Sequence, residues 1–439
     1  MSPELLGFVL LGVFFLAIFI GFPVAFTLIV LSLGFGYVAL GDMVSFLTVL
    51  QTIGLMKEEV LAAVPLFIFM GYLLEEGGLM ARLFRAFQLL LAPVPGSLYV
   101  GVLLTATIFG IASGTVGATV AVVGIMAVPT MMRAGYDPRL SAGSITAGGS
   151  LGILIPPSVM LVVMGPVMGV PVASLYAAAF GPGFLLSALF IAWTLVRCAI
   201  DPRLGPALPV GQRAGSLRTL AVELALGMLP HVVLASVTLG PILAGMATPT
   251  EAAAVGVVGT VVMTAAYRTL TWARVKSAVI QTAQQSSMML FLAVASNIFG
   301  AVFTRLGSAT VMTETLAGLP LPPLGTMLLV MVVIFLLGWP FEWPAIVFVF
   351  VPLLQPTILA LGLDQLWFAT LIAVNLQTAF LSPPVAMAAY YLKAVAPDWT
   401  LTDIYWGMAE FMALQMVGLL LLLCFPAIAL WFPHWLYGP

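Results

Sequence analysis

Two stretches of this chain combine oxygen donors with sequence that breaks a helix. The first is Gly148-Gly149-Ser150-Leu151-Gly152-Ile153-Leu154-Ile155-Pro156-Pro157-Ser158, within an apolar run from Leu140 to Val170. The second is Asn375-Leu376-Gln377-Thr378-Ala379-Phe380-Leu381-Ser382-Pro383-Pro384. The first run is long enough to cross a bilayer. Proline removes a backbone donor and clashes with the preceding turn, so neither stretch supports a continuous helix. Backbone groups freed in hydrocarbon cost several kcal/mol each unless something satisfies them. Such breaks are tolerated where they are buried in protein or line a cavity, and in transporters they hold ions and solute. The competing reading is two Pro-kinked helices with no site.

The chemistry expected here is ion and anion binding. Ser113, Thr115 and Thr119 in one Gly-rich segment, with Ser150 and Ser158 at the first break, supply hydroxyls and bare carbonyls. Hard monovalent cations such as Na⁺ take oxygen ligands, which half-helix C-termini present. Half-helix N-termini point their positive ends at a carboxylate. Packing by small residues is the alternative for any one of these positions. Asn375, Gln377, Thr378 and Ser382 are the polar set of the second break. The segment Gly338-Trp339-Pro340-Phe341-Glu342-Trp343-Pro344 places a carboxylate at membrane depth, which is costly and marks a functional hypothesis. Glu342 has two readings: a group for a cation, a proton or substrate screening, or a rim carboxylate bonded to the helix start before Pro344.

Other charged residues have local explanations. Thr248, Pro249 and Glu251 form a capping-box pattern. Glu410 lies in the last span and is expected to pair within the bundle. His231 and His434 stand alone, and Cys198 and Cys424 have neither disulfide-framework nor metal-ligand spacing. No Walker A motif, catalytic triad or His/Glu arrangement is present, so hydrolysis is not indicated.

The elements that position these residues must span a membrane. The 439 residues are 62% hydrophobic and 7% charged, against about 25% charge in a soluble domain. The net charge of −2 gives no reason to expect nucleic-acid binding. Met1-Ser2-Pro3-Glu4 lacks the basic start of a signal peptide, so the first span is expected to direct insertion.

The chain reads as spans over 5–20, 23–40 and 60–74, with a polar loop between the second and third. An amphipathic interfacial helix is expected over 79–91. A re-entrant hairpin follows over about 98–131, then the broken helix 140–170 and a span over 175–199. A linker over 200–218 carries Arg203, Arg213 and Arg218, just after Arg197. The order then repeats, with a hairpin over about 323–356 and a broken helix over 365–393. The offsets are 383 − 156 = 227 for the proline pairs, 338 − 110 = 228 for the hairpin glycines and 356 − 129 = 227 for Pro129 and Pro356.

The expected architecture is therefore all-α and integral to the membrane, with two five-span units, 1–199 and 219–439, each holding a hairpin and a broken helix. Five spans per unit invert the second unit. Arg133, Arg139 and the arginine-rich linker fall on one side, and Arg268, Arg274 and Lys276 join them there. By the positive-inside rule that side is cytoplasmic and both termini lie outside; Arg305 is the exception. An inverted repeat with paired broken helices is a transporter architecture.

These residues also resemble a known family. Val64-Pro65-Leu66-Phe67-Ile68-Phe69-Met70-Gly71, Gly152–Ser158, Thr248–Gly256 and Phe380–Pro384 together resemble the large membrane subunit of tripartite ATP-independent periplasmic (TRAP) transporters, the DctM-like family. The likeness covers essentially the whole chain. It implies sodium-driven uptake of small carboxylates, with a small four-helix membrane subunit and a periplasmic substrate-binding protein as partners. It also implies an ion-transporter-superfamily elevator, in which hairpins and broken helices move against a scaffold. Ser113, Gly114, Gly152, Pro156 and Ser158 then fall at one sodium site, and Gly338, Glu342, Thr378 and Pro383 at its counterpart. Thr115, Ser150, Asn375, Gln377 and Ser382 are the candidate substrate ligands.

Two departures stand out. The first tip reads Ser113-Gly114-Thr115 where many members have Ser-Gly-Ser, and the second carries two tryptophans. The chain starts directly with a span, so a separate small subunit is expected. A stand-alone ion-coupled carboxylate symporter is the nearest alternative, and a membrane-embedded enzyme or a channel the more distant ones.

Overall fold

The computed structural model describes residues 2–113, 115–209, 216–383 and 385–438, with backbone alone for 111–113 and 217. Gly114, Pro384 and 210–215 of the expected linker lie outside the described residues. The described residues are helical with no strand. Among the described residues eight helices are long and apolar enough to cross a membrane, or nine if one bent pair forms a single span.

The first half runs α1 (Pro3–Ile20), α2 (Val24–Leu40), α3 (Met43–Met56), a 3₁₀ turn (Glu59–Ala62), α4 (Ala63–Glu76) and α5 (Leu79–Leu91). It continues with α6 (Ser97–Ser113), α7 (Val116–Arg133), α8 (Pro138–Leu151), α9 (Val159–Met168) and α10 (Val172–Ile200). The second half has α11 (Leu217–Leu243), α12 (Pro249–Ala266), α13 (Trp272–Arg305), α14 (Ser308–Ala317), α15 (Pro323–Leu337) and the short α16 (Trp343–Ala345). A π-helical turn over Ile346–Phe350 leads into α17 (Val351–Ala360). Then come α18 (Gln365–Leu376), α19 (Thr378–Leu381), α20 (Met387–Val395), α21 (Leu401–Cys424) and α22 (Ala427–Tyr437).

The structure corrects the loop expected between the second and third spans. Met43–Met56 is helical, with Val44 and Leu47 buried against α2 and α13. Its remaining large side chains, among them Phe46, Val49 and Met56, are exposed, as a helix flanked by protein and lipid requires. After Lys57-Glu58 the 3₁₀ turn over Glu59–Ala62 leads into α4. The second half has no such break: α13 runs 34 residues unbroken.

The amphipathic helix expected over 79–91 is present as α5, bent 65° from the segment before it. Its apolar face does not lie free at an interface. Leu83, Phe84 and Phe87 are buried, and α5 packs on α6 and α11. Arg82 reaches Glu223 of α11 at 4.0 Å and stands over the Tyr267 ring.

Helix α13 packs on α2 and α4, and α4 on α12; α7, α8 and α10 pack on helices of the α18 to α22 group, while α6 packs on α5, α7, α8 and α10. The most extensive pairing joins α8 to α21. It is made by glycines: a methyl group on Gly143 would overlap the Gly407 carbonyl, and one on Gly407 the Arg139 carbonyl. Small residues of this kind bring membrane helices together because lipid offers no hydrophobic drive for association.

Polar clasps fix the helix ends. Asp137 caps α8 by accepting from Leu140 N at 2.8 Å. Tyr136, in the turn before it, packs on Tyr99 and meets the Ser97 hydroxyl at 3.3 Å. Burial pushes the Tyr136 phenol above its ordinary pKa. Thr248 and Glu251 make the expected capping box, with Glu251 Oε2 accepting from Thr248 N at 2.8 Å. Glu410 pairs with Arg197 and accepts from Trp193 Nε1 at 2.8 Å.

Candidate functional site

Helices α6 and α7 pack as a hairpin with Thr115 at its tip, and the turn over 338–342, between α15 and the Trp343–Ala360 segment, stands where the sequence predicts the tip of the second. Beside each lies a broken helix. The first break spans 152–158, between α8 and α9, and its Pro156–Pro157 peptide is cis. The second is interrupted at Gln377 and again after Leu381, where 382–383 and 385–386 are non-helical before α20. Element starts recur at fixed spacing, as 343 − 116 = 227 and 365 − 138 = 227 show.

Each hairpin touches its break through a glycine. A methyl group on Gly110 would overlap the Gly152 Cα, and one on Gly338 would sit 2.9 Å from the Ala379 Cβ. In the first break the Ser158 hydroxyl donates to the Ile153 carbonyl, and Ile155 N reaches back to Leu151 O at 3.1 Å. Tyr176 OH lies 3.5 Å from the Ser158 carbonyl. Gly152, Pro156 and Ser158 are buried, and Ser150 donates to Ala147 O at 2.8 Å. These hydroxyl protons go to local carbonyls, while the oxygen lone pairs remain available as acceptors.

The second break holds polar atoms that the protein leaves unmatched. Asn375 Nδ2 donates to the Met331 carbonyl at 2.7 Å, but its Oδ1 has no partner among the described residues. Gln377 accepts from Gln415 Nε2 at 3.0 Å, leaving Gln377 Nε2, Gln415 Oε1 and the Ser382 hydroxyl without a partner among the described residues. Asn375, Gln377 and Ser382 are all buried. Buried polar groups normally find a partner, so a cluster of exceptions asks for an explanation such as an ion or water. Thr378 donates to Asn375 O at 2.6 Å, and Pro383 is exposed.

Both hairpins and both breaks meet at one cavity of about 340 Å³. Thr115, Val116 and Gly117 come from the first tip, and Glu342 and Trp343 from the second. Ile153 comes from the first break and Val159 from the start of α9, while Phe380 of α19 and Met387 at the start of α20 flank the second break. The far wall is Tyr72 and Glu75 of α4 with Gln281, Gln285 and Met289 of α13. A larger apolar cavity of about 760 Å³ adjoins it and shares Glu342, Trp343, Phe380 and Met387. Glu342 is the N-cap residue of the Trp343 helix, yet its side chain makes no capping bond, so the rim-cap reading is not drawn.

Of the residues singled out from sequence, Thr115 and Glu342 line the polar cavity and Gly338 lines the apolar one. Ser150, Gly152, Pro156, Ser158, Asn375, Gln377, Thr378 and Ser382 are buried in the breaks and line neither cavity. Gly114 and the Ser113 side chain lie outside the described residues. Sequence reasoning missed Tyr72, Glu75, Gln281, Gln285 and Tyr391. A signal was present for two of them: Gln281, Gln284 and Gln285 crowd the middle of an apolar segment, where polar residues are expensive. Among the described residues no group of three His, Cys, Asp or Glu forms a metal cluster.

This architecture is that of a membrane transport protein. Residues 11–428 match the model of the tripartite ATP-independent periplasmic transporter, DctM component, and the chain belongs to that family. It is thus the large permease component of a TRAP transporter, a multi-pass protein of the inner membrane. The C4-dicarboxylate TRAP transporter large permease protein DctM of Pseudomonas aeruginosa is 28% identical over 377 residues, 86% of each chain. The sialic acid TRAP transporter large permease protein SiaM of Vibrio cholerae is 28% identical over 96% of this chain and 97% of its own. The isethionate TRAP transporter permease protein DctMQ of Oleidesulfovibrio alaskensis is 28% identical over 97% of this chain, which is 66% of that one. The YdaH transporter of Alcanivorax borkumensis shares the fold, with TM-score 0.66 and 16% identity over 99% of this chain and 100% of its own. Neisseria gonorrhoeae MtrF does so with TM-score 0.64 and 13% identity over 88% of this chain and 84% of its own.

Proposed function

We propose that this chain imports small organic acids by sodium-coupled elevator motion, working with a small membrane subunit and a periplasmic substrate-binding protein. The observation that carries the reading is the convergence of both hairpin tips and both breaks on one polar cavity. The relatives add chemistry: their names specify a C4-dicarboxylate, sialic acid and isethionate, all acids.

In this reading Na⁺ is cargo. Asn375 Oδ1 and the Ser382 hydroxyl, buried and without a partner among the described residues, are oxygen donors of the type sodium takes. Carbonyls of 152–158 supply the same donor type in the first break. Sodium in the breaks would organise the backbone beside the cavity, and its differential affinity for loaded and empty forms would drive the conformational change. The moving body comprises α6 to α10 with α15 to α22, arranged as an inverted repeat. Helices α1 to α4 and α11 to α14 are the scaffold.

The test is uptake in proteoliposomes containing both membrane subunits and supplied with the binding protein. Uptake should require an inward sodium gradient and the binding protein. Uptake indifferent to sodium would remove the coupling claim. Uptake without the binding protein would favour a stand-alone symporter.

A further inference from the structure

We propose that the solute passing through the polar cavity carries a positively charged nitrogen beside its carboxylate, making it a zwitterionic acid rather than a simple carboxylate. This rests on the preceding reading of the cavity as the substrate site and adds the substrate class.

The charge of the lining decides the matter. Glu75 and Glu342 both line the cavity, and among the described residues no Lys, Arg or His does. The ion pairs among the described residues are Arg82–Glu223, Arg139–Asp403 and Arg197–Glu410, so neither cavity carboxylate belongs to one. Glu75 Oε2 is closed off from solvent and takes no hydrogen bond from any described residue. The next residue differs: Glu76 Oε1 accepts from Ser277 at 2.8 Å and from Gln281 at 3.5 Å.

A simple carboxylate entering this cavity meets two acidic side chains and, among the described residues, no basic one. Water and salt screen weakly in such a site, so any charge those carboxyls carry repels the solute's own. An ammonium or quaternary nitrogen on the same solute supplies the missing charge. The rings of Tyr72, Trp343 and Tyr391 also line the cavity, and aromatic faces attract such cations. The opposite pole is present too. Val116 and Val159, which begin α7 and α9, lie on the wall beside the Thr115 hydroxyl. Helix N-termini carry partial positive charge and free N–H groups that suit a carboxylate. A dipolar solute thus finds a partner for each end. Neutralisation by sodium or protons alone is the competing account, and it makes simple carboxylates the preferred solutes.

The full chain, purified with its small-subunit partner in nanodiscs containing sodium, would be titrated calorimetrically with glycine betaine, proline, 4-aminobutyrate, succinate and pyruvate. At least one zwitterion should bind about tenfold more tightly than either simple acid. Glu342→Gln and Glu75→Gln should each weaken that zwitterion about tenfold while leaving succinate and pyruvate unchanged or improved. Melting curves report whether each variant is folded, and having two variants keeps the test open if one is not. Glu314→Gln, on the exposed side of α14, should leave every affinity as it was. Tighter binding of succinate or pyruvate by the unaltered protein overturns the substrate class and leaves the transporter reading standing. Full retention of zwitterion binding in both Gln variants also overturns it. Failure of all five solutes to bind overturns the class and counts against the cavity as the substrate site.

Discussion

Gly110 of the first hairpin and Gly152 of the first break pack backbone against backbone. A methyl group on Gly152 would lie 2.9 Å from the Gly110 Cα, closer than real Cβ contacts come. Gly338 comes as close to Ala379, but against its side chain: a methyl on Gly338 would lie 2.9 Å from the Ala379 Cβ. The first hairpin is therefore seated directly on the backbone of its break, and a side chain at Gly110 would lift it off.

Gly110→Val should separate α6 from the break. Overpacking a membrane core costs about 1–3 kcal/mol, so the protein should still insert but melt at lower temperature. Uptake should fall by more than roughly tenfold, because loss of alignment acts on the ion site as well as on stability. Gly12→Val is the control, since nothing lies within 4 Å of that position. Uptake by Gly110→Val equal to the control would show that the hairpin seat has no functional weight.

The two ion pairs involving α21 should rank by burial. Arg139–Asp403 spans 2.9 Å with side chains 58% and 33% exposed, and exposed pairs contribute about 1 kcal/mol at most. Arg197–Glu410 is less exposed, at 31% and 32%, and Glu410 also holds Trp193. Removing one partner of a fully buried pair costs roughly 3–5 kcal/mol, and partial exposure places Arg197→Ala below that range. Arg197→Ala should therefore lower the melting temperature more than Arg139→Ala. Equal shifts would mean that the Glu410 carboxylate is satisfied by Trp193 and solvent alone.

Much of this arrangement was legible in the sequence, for physical reasons. Double prolines and glycines inside apolar runs forbid a continuous helix, so breaks within 148–158 and 375–384 could be placed before any fold was known. The capping box at Thr248 and the in-bundle pairing of Glu410 were legible because each depends on local spacing or on the cost of a lone charge. Helix α3 was not, because Gly41-Asp42 and Lys57-Glu58-Glu59 at its ends read as loop and its 14 residues are too few for a span. The far wall of the cavity was also hidden. Glu75 looked like the polar end of a span, and only the packing of α4 against α13 brings it beside Gln281 and Gln285.

Asn375 separates packing from ion binding within one side chain. Its Nδ2 holds the Met331 carbonyl at 2.7 Å while Oδ1 has no described partner. Asn375→Leu keeps the volume and removes both atoms. Losing the one hydrogen bond costs about 1 kcal/mol of stability. If Oδ1 serves sodium, the sodium concentration for half-maximal uptake should rise roughly tenfold beyond that structural effect. Thr378→Val removes a hydroxyl whose proton already goes to Asn375 O, and should move the sodium dependence less. A sodium dependence unchanged in Asn375→Leu would assign the residue to packing alone.

The elevator reading requires contacts between α1 and the second hairpin to break in each cycle. Phe14 of α1 stacks on Phe341 of the hairpin tip, with ring centroids 5.6 Å apart and planes 10° from parallel. Phe15 meets Phe341 edge-on at the same 5.6 Å. If the hairpin travels while α1 stays with the scaffold, a covalent tie between these positions must arrest transport. With Cys198 and Cys424 first replaced by Ser, Phe14→Cys and Phe341→Cys would be joined by a short bifunctional thiol reagent with a reducible link. Uptake should fall in proportion to the fraction joined and return on reduction. Each single cysteine treated with the same reagent should transport at its own untreated rate. Full uptake with the pair quantitatively joined would mean that α1 and the tip move as one body, and the division between scaffold and moving helices would have to be redrawn.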